Sequence, residues 1–137
     1  MHAVNIEKTI STKVATFKLR SDGIVVQEIK EGVNILEEDA LEQIEAHKKL
    51  TPDRSPMMIL HTSNYSITHE AQLVFAGDNF PLALGIITKT SAARITINLI
   101  FRVFDILKKK NIPKKLFSDE EEAVKWLRKF VVTRKFL

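Results

Sequence analysis

The sequence predicts an α/β fold in which an N-terminal β-hairpin leads into a mostly parallel sheet of four to five strands flanked by four helices. Strand-like and helix-like segments alternate along the 137 residues, and this order favours parallel strands joined by right-handed crossovers. Residues 57–60 and 82–87 are apolar without alternation, which is typical of strands covered on both faces. An Asp-Gly pair at residues 22–23 favours a hairpin between the strand-like segments on either side.

The N-terminal elements follow from their periodicity. Residues 14–20 alternate between apolar and polar side chains, as a half-buried strand does, and residues 24–30 form the returning strand. Residues 37–49 are predicted to be a helix with Leu41 and Ile44 in its apolar stripe. Acidic residues fill its first turn and lysines its last, which is the polarity that the helix dipole favours.

The C-terminal half continues the alternation. Residues 67–77 are predicted to be a short helix after the first buried strand, and residues 90–110 the longest helix, after the second. Residues 114–117 form at most a short edge strand. Ser118 and Glu121 match a capping box, in which the serine hydroxyl accepts the third helical amide, and so begin the last helix.

Length and composition indicate one domain, over residues 14–130. We expect residues 1–13 to be an N-terminal arm or edge segment and residues 131–137 to be the end of the last helix. The absence of cysteine excludes disulfides and thiolate sites. No apolar stretch approaches about 18 residues, and the N-terminus lacks the order of a signal peptide. We therefore expect a cytoplasmic protein without stable membrane association.

The net charge of +4, from 21 basic and 17 acidic residues, is unevenly distributed. Residues 108–137 hold 10 of the basic and 4 of the acidic residues. A basic segment of this kind favours nucleic acid or an anionic surface when aromatic residues interleave with it. Here no aromatic residues interleave with the lysines in a stacking pattern, so the sequence favours a solvated helix face and no nucleic-acid partner.

Motifs for catalysis and cofactor binding are missing from the sequence. The glycines at 23, 32, 77 and 85 are too scattered for a dinucleotide fingerprint or a phosphate-binding loop, and there is no Gly-x-Ser-x-Gly elbow. His61 and His69, with Glu70 and Asp78 downstream, are too thin a ligand set for zinc. We therefore expect no cofactor, no metal and no enzymatic activity.

The loops after the two buried strands are the predicted site, because ligands of open α/β sheets bind beyond the carboxyl ends of the strands. A phosphate here would meet free helix amides, whereas a helix N-cap alone also explains such hydroxyls; both interpretations stay open. Two sets of side chains are the candidates: as phosphoacceptor or partner contact Ser63, Asn64, Tyr65, Ser66 and Thr68, and as anion contact Thr88, Lys89, Thr90, Ser91 and Arg94.

The order of elements resembles that of the SpoIIAA-like, or STAS/SEC14-type, family of small bacterial domains. The resemblance covers residues 14–130 and is carried by the runs EGVNILEEDALEQIEA, ILHTSNYSITHEAQLVFA and KKLFSDEEEAVKWL. In the anti-sigma-factor antagonists of that family, phosphorylation of a serine that opens the helix after the central strand switches partner binding. The resemblance places Ser66 and Thr68 at that helix start.

Two functional hypotheses follow. The first is a non-enzymatic regulatory or protein-interaction module that docks a protein partner through the loop 61–68 and the helix start 88–94, with homodimerisation left open. The second, implied by the SEC14 side of the resemblance, is a carrier for a lipid or another small apolar or anionic ligand beneath the apolar residues 95–107.

Overall fold

A computed structural model describes residues 4–53, 56–62, 64–76, 82–88 and 113–135. These ranges contain eight strands and three helices. The elements, in chain order, are β1 (Ile6–Ser11), β2 (Ala15–Arg20), β3 (Val25–Ile29), β4 (Asn34–Ile35), α1 (Glu37–Leu50), β5 (Met57–His61), β6 (Ser66–Ile67), α2 (His69–Ala76), β7 (Ala83–Ile87), β8 (Lys114–Phe117) and α3 (Glu120–Lys135).

Six of the strands form one mixed sheet in the order β1-β2-β3-β5-β7-β8. Strands β1, β2 and β3 are antiparallel neighbours, and the pairings from β3 to β8 are parallel. The predicted count of four to five strands was too low, because the segment before residue 14 pairs with β2 from Ile6↔Arg20 to Ser11↔Thr16. The edge strand predicted at residues 114–117 is confirmed.

The central parallel pair positions the candidate site. Strands β5 and β7 are neighbours with a register that runs from Met57↔Ala83 to His61↔Ile87. The prediction that the two apolar runs lie side by side and point the same way is therefore confirmed. The loops that follow them leave the sheet at the carboxyl ends of its parallel strands. We call this end of the sheet the carboxyl edge.

The sheet separates two hydrophobic cores. On one face Phe17 and Met58 pack with Ala40 and Ala46 of α1 and with Ala71 of α2. On the other face, which α3 covers, the core is formed by residues of the central strands and the helix: Ile59, Ala83, Ile87, Ala123, Val124 and Leu127. A Cβ added at Gly85 would lie 3.1 Å from the Ala123 Cβ, so this glycine lets the helix approach the sheet closely.

The buried face of helix α1 departs from the predicted apolar stripe at Leu41. The side chain of Leu41 is 51% exposed, whereas Gln43 is only 1% exposed. Gln43 can face inward because its polar atoms are paired: Gln27 Nε2 donates to Gln43 Oε1 over 3.1 Å, and Gln43 Nε2 donates to Thr12 Oγ1 over 2.6 Å.

The helix starts also differ from the predicted ones. The N-cap of α3 is Asp119 rather than Ser118, because the Glu122 amide donates to Asp119 Oδ1 over 2.9 Å; aspartate and serine are about equally good N-caps. Helix α2 starts at His69 because β6 pairs with β4 instead of joining the helix. Helix α3 continues beyond residue 130, to Lys135. The helix predicted at residues 90–110 lies outside the described residues.

Candidate functional site

The ends of the two central strands are tied together at the carboxyl edge. The backbone amide of Thr62 and its Oγ1 both donate to the Ile87 carbonyl, each over 3.1 Å. Thr62 is 4% exposed and Thr88 is 7% exposed. The two predicted loops therefore start from one buried, hydrogen-bonded platform.

A short parallel ladder holds the first loop in place. Strands β4 and β6 pair through Asn34↔Ser66 and Ile35↔Ile67. The Gly32 amide donates to the Asn64 carbonyl over 2.6 Å, and Gly32 has a φ of 75°, a value that favours glycine. The backbone of residues 64–68 is thus fixed against residues 32–35 rather than free to move.

The first predicted set of side chains divides into surface and structural members. Asn64 and Ser66 are exposed, and Ser66 Oγ donates to Asn34 Oδ1 over 2.8 Å. Thr68 Oγ1 accepts the Ala71 amide over 3.2 Å and so caps α2. Tyr65 is half-buried against the first core. Ser63 lies outside the described residues.

Burial has a chemical consequence for Tyr65. Removing its phenol from water disfavours the charged phenolate and raises the pKa of Tyr65 to about 12. The half-buried phenol therefore keeps its proton to a higher pH than an exposed tyrosine does. Its ring anchors the loop whose neighbouring positions, Asn64 and Ser66, face solvent.

Of the predicted anion contacts, Thr88 is the one that lies within the described residues. The hydroxyl of Thr88 is buried and has no hydrogen-bond partner within the described ranges. The other candidate anion contacts, Lys89, Thr90, Ser91 and Arg94, lie outside the described residues. The predicted anion site therefore stays a prediction.

The described part of the carboxyl edge is acidic. Glu31, Glu37, Glu38 and Glu70 are exposed around the β4–β6 ladder. The nearest lysine in sequence, Lys30, donates its Nζ to the Thr12 carbonyl over 2.8 Å. Sequence reasoning treated Glu37 and Glu38 only as helix-dipole partners, and the ladder that gathers these carboxylates was not predicted.

A charged strip joins the sheet to α3 on the other face. His61 Nε2 lies 3.0 Å from Glu120 Oε1, and Arg20 Nη1 lies 3.9 Å from Glu120 Oε2. Arg20 also binds Asp22 through two hydrogen bonds, and Arg128 Nη2 lies 3.6 Å from Asp22 Oδ2. These partners are up to about one hundred residues apart in sequence, so no local pattern predicts them.

Within the described residues, no group of three or more His, Cys, Asp or Glu side chains is arranged to hold a metal ion. None of the helices in the same ranges has the length and hydropathy needed to cross a membrane.

The fold defines the class of protein: an α/β domain with a SpoIIAA-like fold. It is similar to the crystal structure of an uncharacterized protein from the DUF3478 family, described as having a SpoIIAA-like fold, from Shewanella loihica PV-4. The two share 12% sequence identity with a TM-score of 0.53, over 93% of this chain and 95% of the other. The chain belongs to the family DUF7793, a domain of unknown function, which matches residues 17–131. No curated protein matches the chain.

Proposed function

We propose that this domain is a non-enzymatic regulatory or protein-interaction module of the cytoplasm, which docks a protein partner at its carboxyl edge through the loop 61–68 and the helix start 88–94. The placement of Ser66 supports the proposal best. Its side chain is exposed on a segment that the β4–β6 ladder fixes, whereas Tyr65 packs into the core and Thr68 caps a helix. A rigid, exposed position costs little conformational entropy when a partner binds.

The charge of the described part of this edge favours protein over nucleic acid as the partner. Glu31, Glu37, Glu38 and Glu70 surround the ladder, and carboxylates repel a phosphate backbone. A protein surface that carries lysine or arginine would instead be attracted.

Phosphorylation of Ser66 would regulate docking by weakening it. A phosphoryl group at Ser66 removes the hydroxyl proton that binds Asn34 Oδ1. It also adds about −1.5 to −2 charges to a surface that is already acidic. Both changes act against the binding of a cationic partner.

The alternative, a carrier of a lipid or small apolar or anionic ligand, depends on residues 95–107, which lie outside the described residues. No observation within the described ranges favours it over docking.

The test compares Ser66→Glu and Ser66→Ala with wild type. Each tagged protein is expressed in its native host, cross-linked, and its captured proteins are quantified by mass spectrometry. We expect wild type and Ser66→Ala to capture the same partner and Ser66→Glu to capture at least about tenfold less, since a tenfold change corresponds to only about 1.4 kcal/mol.

Ser21 provides the matched control. It is exposed, it lies at the turn between β2 and β3, away from the carboxyl edge, and its Oγ likewise takes part in one hydrogen bond, from the Asn5 amide over 3.1 Å. Ser21→Glu should leave capture unchanged. Equal capture by wild type and Ser66→Glu, or equal losses in both glutamate variants, would contradict the proposal.

A further inference from the structure

The two helices beside the carboxyl edge begin in register with each other. Their preceding strands pair at Ile35↔Ile67. Each helix starts two residues after its isoleucine, α1 at Glu37 and α2 at His69, and the two helices pack against each other. Positions 32 residues apart in sequence therefore occupy equivalent places on two adjacent helices.

Leucines stand at one such equivalent pair of positions, and both are exposed. Leu41 is the fifth residue of α1 and Leu73 the fifth of α2, with exposures of 51% and 41%. The axes of packed helices lie about 8–10 Å apart, so residues at equivalent positions on two such helices are expected at roughly that separation. Single exposed leucines are ordinary, whereas a pair at equivalent positions is a feature of the surface.

Carboxylates surround this leucine pair. Three of the helical neighbours of Leu41 at spacings of three and four are exposed glutamates, Glu37, Glu38 and Glu45, and Glu70 has the same relation to Leu73. No lysine or arginine occurs between residues 31 and 47, although Lys13 reaches α1 from outside this range, with its Nζ 3.9 Å from Asp39 Oδ1. The helix dipole accounts for acidic residues in a first turn, but it accounts neither for Glu45 nor for two exposed leucines.

We propose that the outer face of α1 and α2 binds an amphipathic, cationic helix of a protein partner, with Leu41 and Leu73 as its two apolar contacts. A helix rises about 1.5 Å per residue, so apolar side chains seven residues apart on the partner match the spacing of the leucines. Lysine or arginine on the flanks of the partner helix would meet the glutamates. This surface does not include Ser66, and the inference does not depend on its phosphorylation.

The test uses a defined probe in place of a natural partner. A fluorescent 18-residue peptide of leucine and lysine, patterned as an amphipathic helix, is titrated with the full chain, and binding is followed by anisotropy. We expect the double variant Leu41→Gln/Leu73→Gln to weaken binding about tenfold because it removes the apolar contacts. Glu37→Lys/Glu38→Lys should weaken it at least as much.

Matched variants separate this surface from general attraction between opposite charges. Ile6 on β1 is 50% exposed, so Ile6→Gln removes a similar apolar surface elsewhere. Glu121→Lys/Glu122→Lys reverses two exposed glutamates in the first turn of α3, with the same change in net charge and the same helix-dipole cost. Both controls should bind the probe within about twofold of wild type.

Three outcomes of the binding experiments would overturn the inference. The leucine variant binds as tightly as wild type, the controls weaken binding as much as the test variants, or a lysine-only peptide of equal charge binds as well as the amphipathic one. Sedimentation tests the remaining occupant: if wild type is a dimer and the leucine variant a monomer, the surface binds a second copy of the chain and not a cationic helix.

Discussion

Tyr65 shows how one residue connects the core to the candidate loop. Its ring packs against the first hydrophobic core, while Asn64 and Ser66 on either side face solvent. Burial raises its pKa from the ordinary 10.0 to about 12. The folded protein therefore holds the phenol proton more tightly than the unfolded chain does.

Protein stability should fall at high pH because of this residue. Below pH 10 the phenol is protonated in both states; between pH 10 and pH 12 only the unfolded chain loses its proton, so the contribution decreases as the pH rises. We expect the free energy of unfolding to fall by about 1.4 kcal/mol at pH 11 relative to pH 9, measured by urea titration. The quantity to compare is the pH-dependent change in the free energy of unfolding of wild type and of Tyr65→Phe. The variant keeps every other titratable group, so the difference reports on Tyr65 alone.

An independent readout is available because Tyr65 is the single tyrosine of the chain. The absorbance of tyrosinate should develop near pH 12 in the folded protein and near pH 10 in urea. A midpoint near 10 in the folded protein would contradict the assignment of Tyr65 to the core.

At the scale of elements, two adjacent residues, Ser118 and Asp119, are candidates for the N-cap of α3. Asp119 Oδ1 accepts the Glu122 amide, and Ser118, which is exposed, lies one residue earlier. We expect Asp119→Ala to lower the free energy of unfolding by about 1 kcal/mol and Ser118→Ala to change it by less than about 0.5 kcal/mol. Denaturation midpoints at constant m-value would check this. A larger loss of stability in Ser118→Ala than in Asp119→Ala would show that Ser118 is the N-cap.

The elements also show what local patterns can predict. The strands β5 and β7 follow from apolar runs that are typical of strands covered on both faces and too short for a buried helix. Which residues α1 buries does not follow from the local pattern. Gln43 is buried because it bonds to Gln27 and Thr12, and other elements contribute both partners. Strands of two residues, such as β4 and β6, carry too little periodicity to be recognised.

The positions from which the two candidate loops start were predictable, whereas the roles of their side chains were less so. Topology rules favour ligand sites beyond the ends of parallel strands, and the parallel pairing of β5 and β7 starts both loops at that edge. Whether a hydroxyl caps a helix or faces solvent depends on backbone register. The ladder decides that Thr68 caps and Ser66 is exposed, and sequence alone leaves both open.

At the scale of the whole molecule, strand β1 forms one edge of the sheet. Such an edge offers unpaired backbone groups to other chains. Lys8 is exposed on this strand, and the register of β1 is irregular between Ile6 and Lys8. A charge and an irregularity are both features that oppose pairing between edges.

Replacing Lys8 with valine should therefore promote self-association. Valine has a high β-propensity and removes the charge, so we expect a concentration-dependent increase in sedimentation coefficient and in thioflavin fluorescence on storage. Lys125→Val on α3 makes the same charge change at an exposed helical position. If Lys125→Val associates as much as Lys8→Val, lost charge and not the strand edge is the cause.

The strand order has a consequence for the protein during its synthesis. From β3 to β8, each strand of the main sheet is added beside a strand translated before it, so the sheet can grow outwards as the polypeptide leaves the ribosome. Among the described elements, the helix that contains Leu127 covers the core around Ile59 and Ile87, so these elements leave that core uncovered until this helix has been translated. A nascent chain stalled before α3 would carry this apolar face bare, and chaperones that recognise such faces would hold it until elongation resumes.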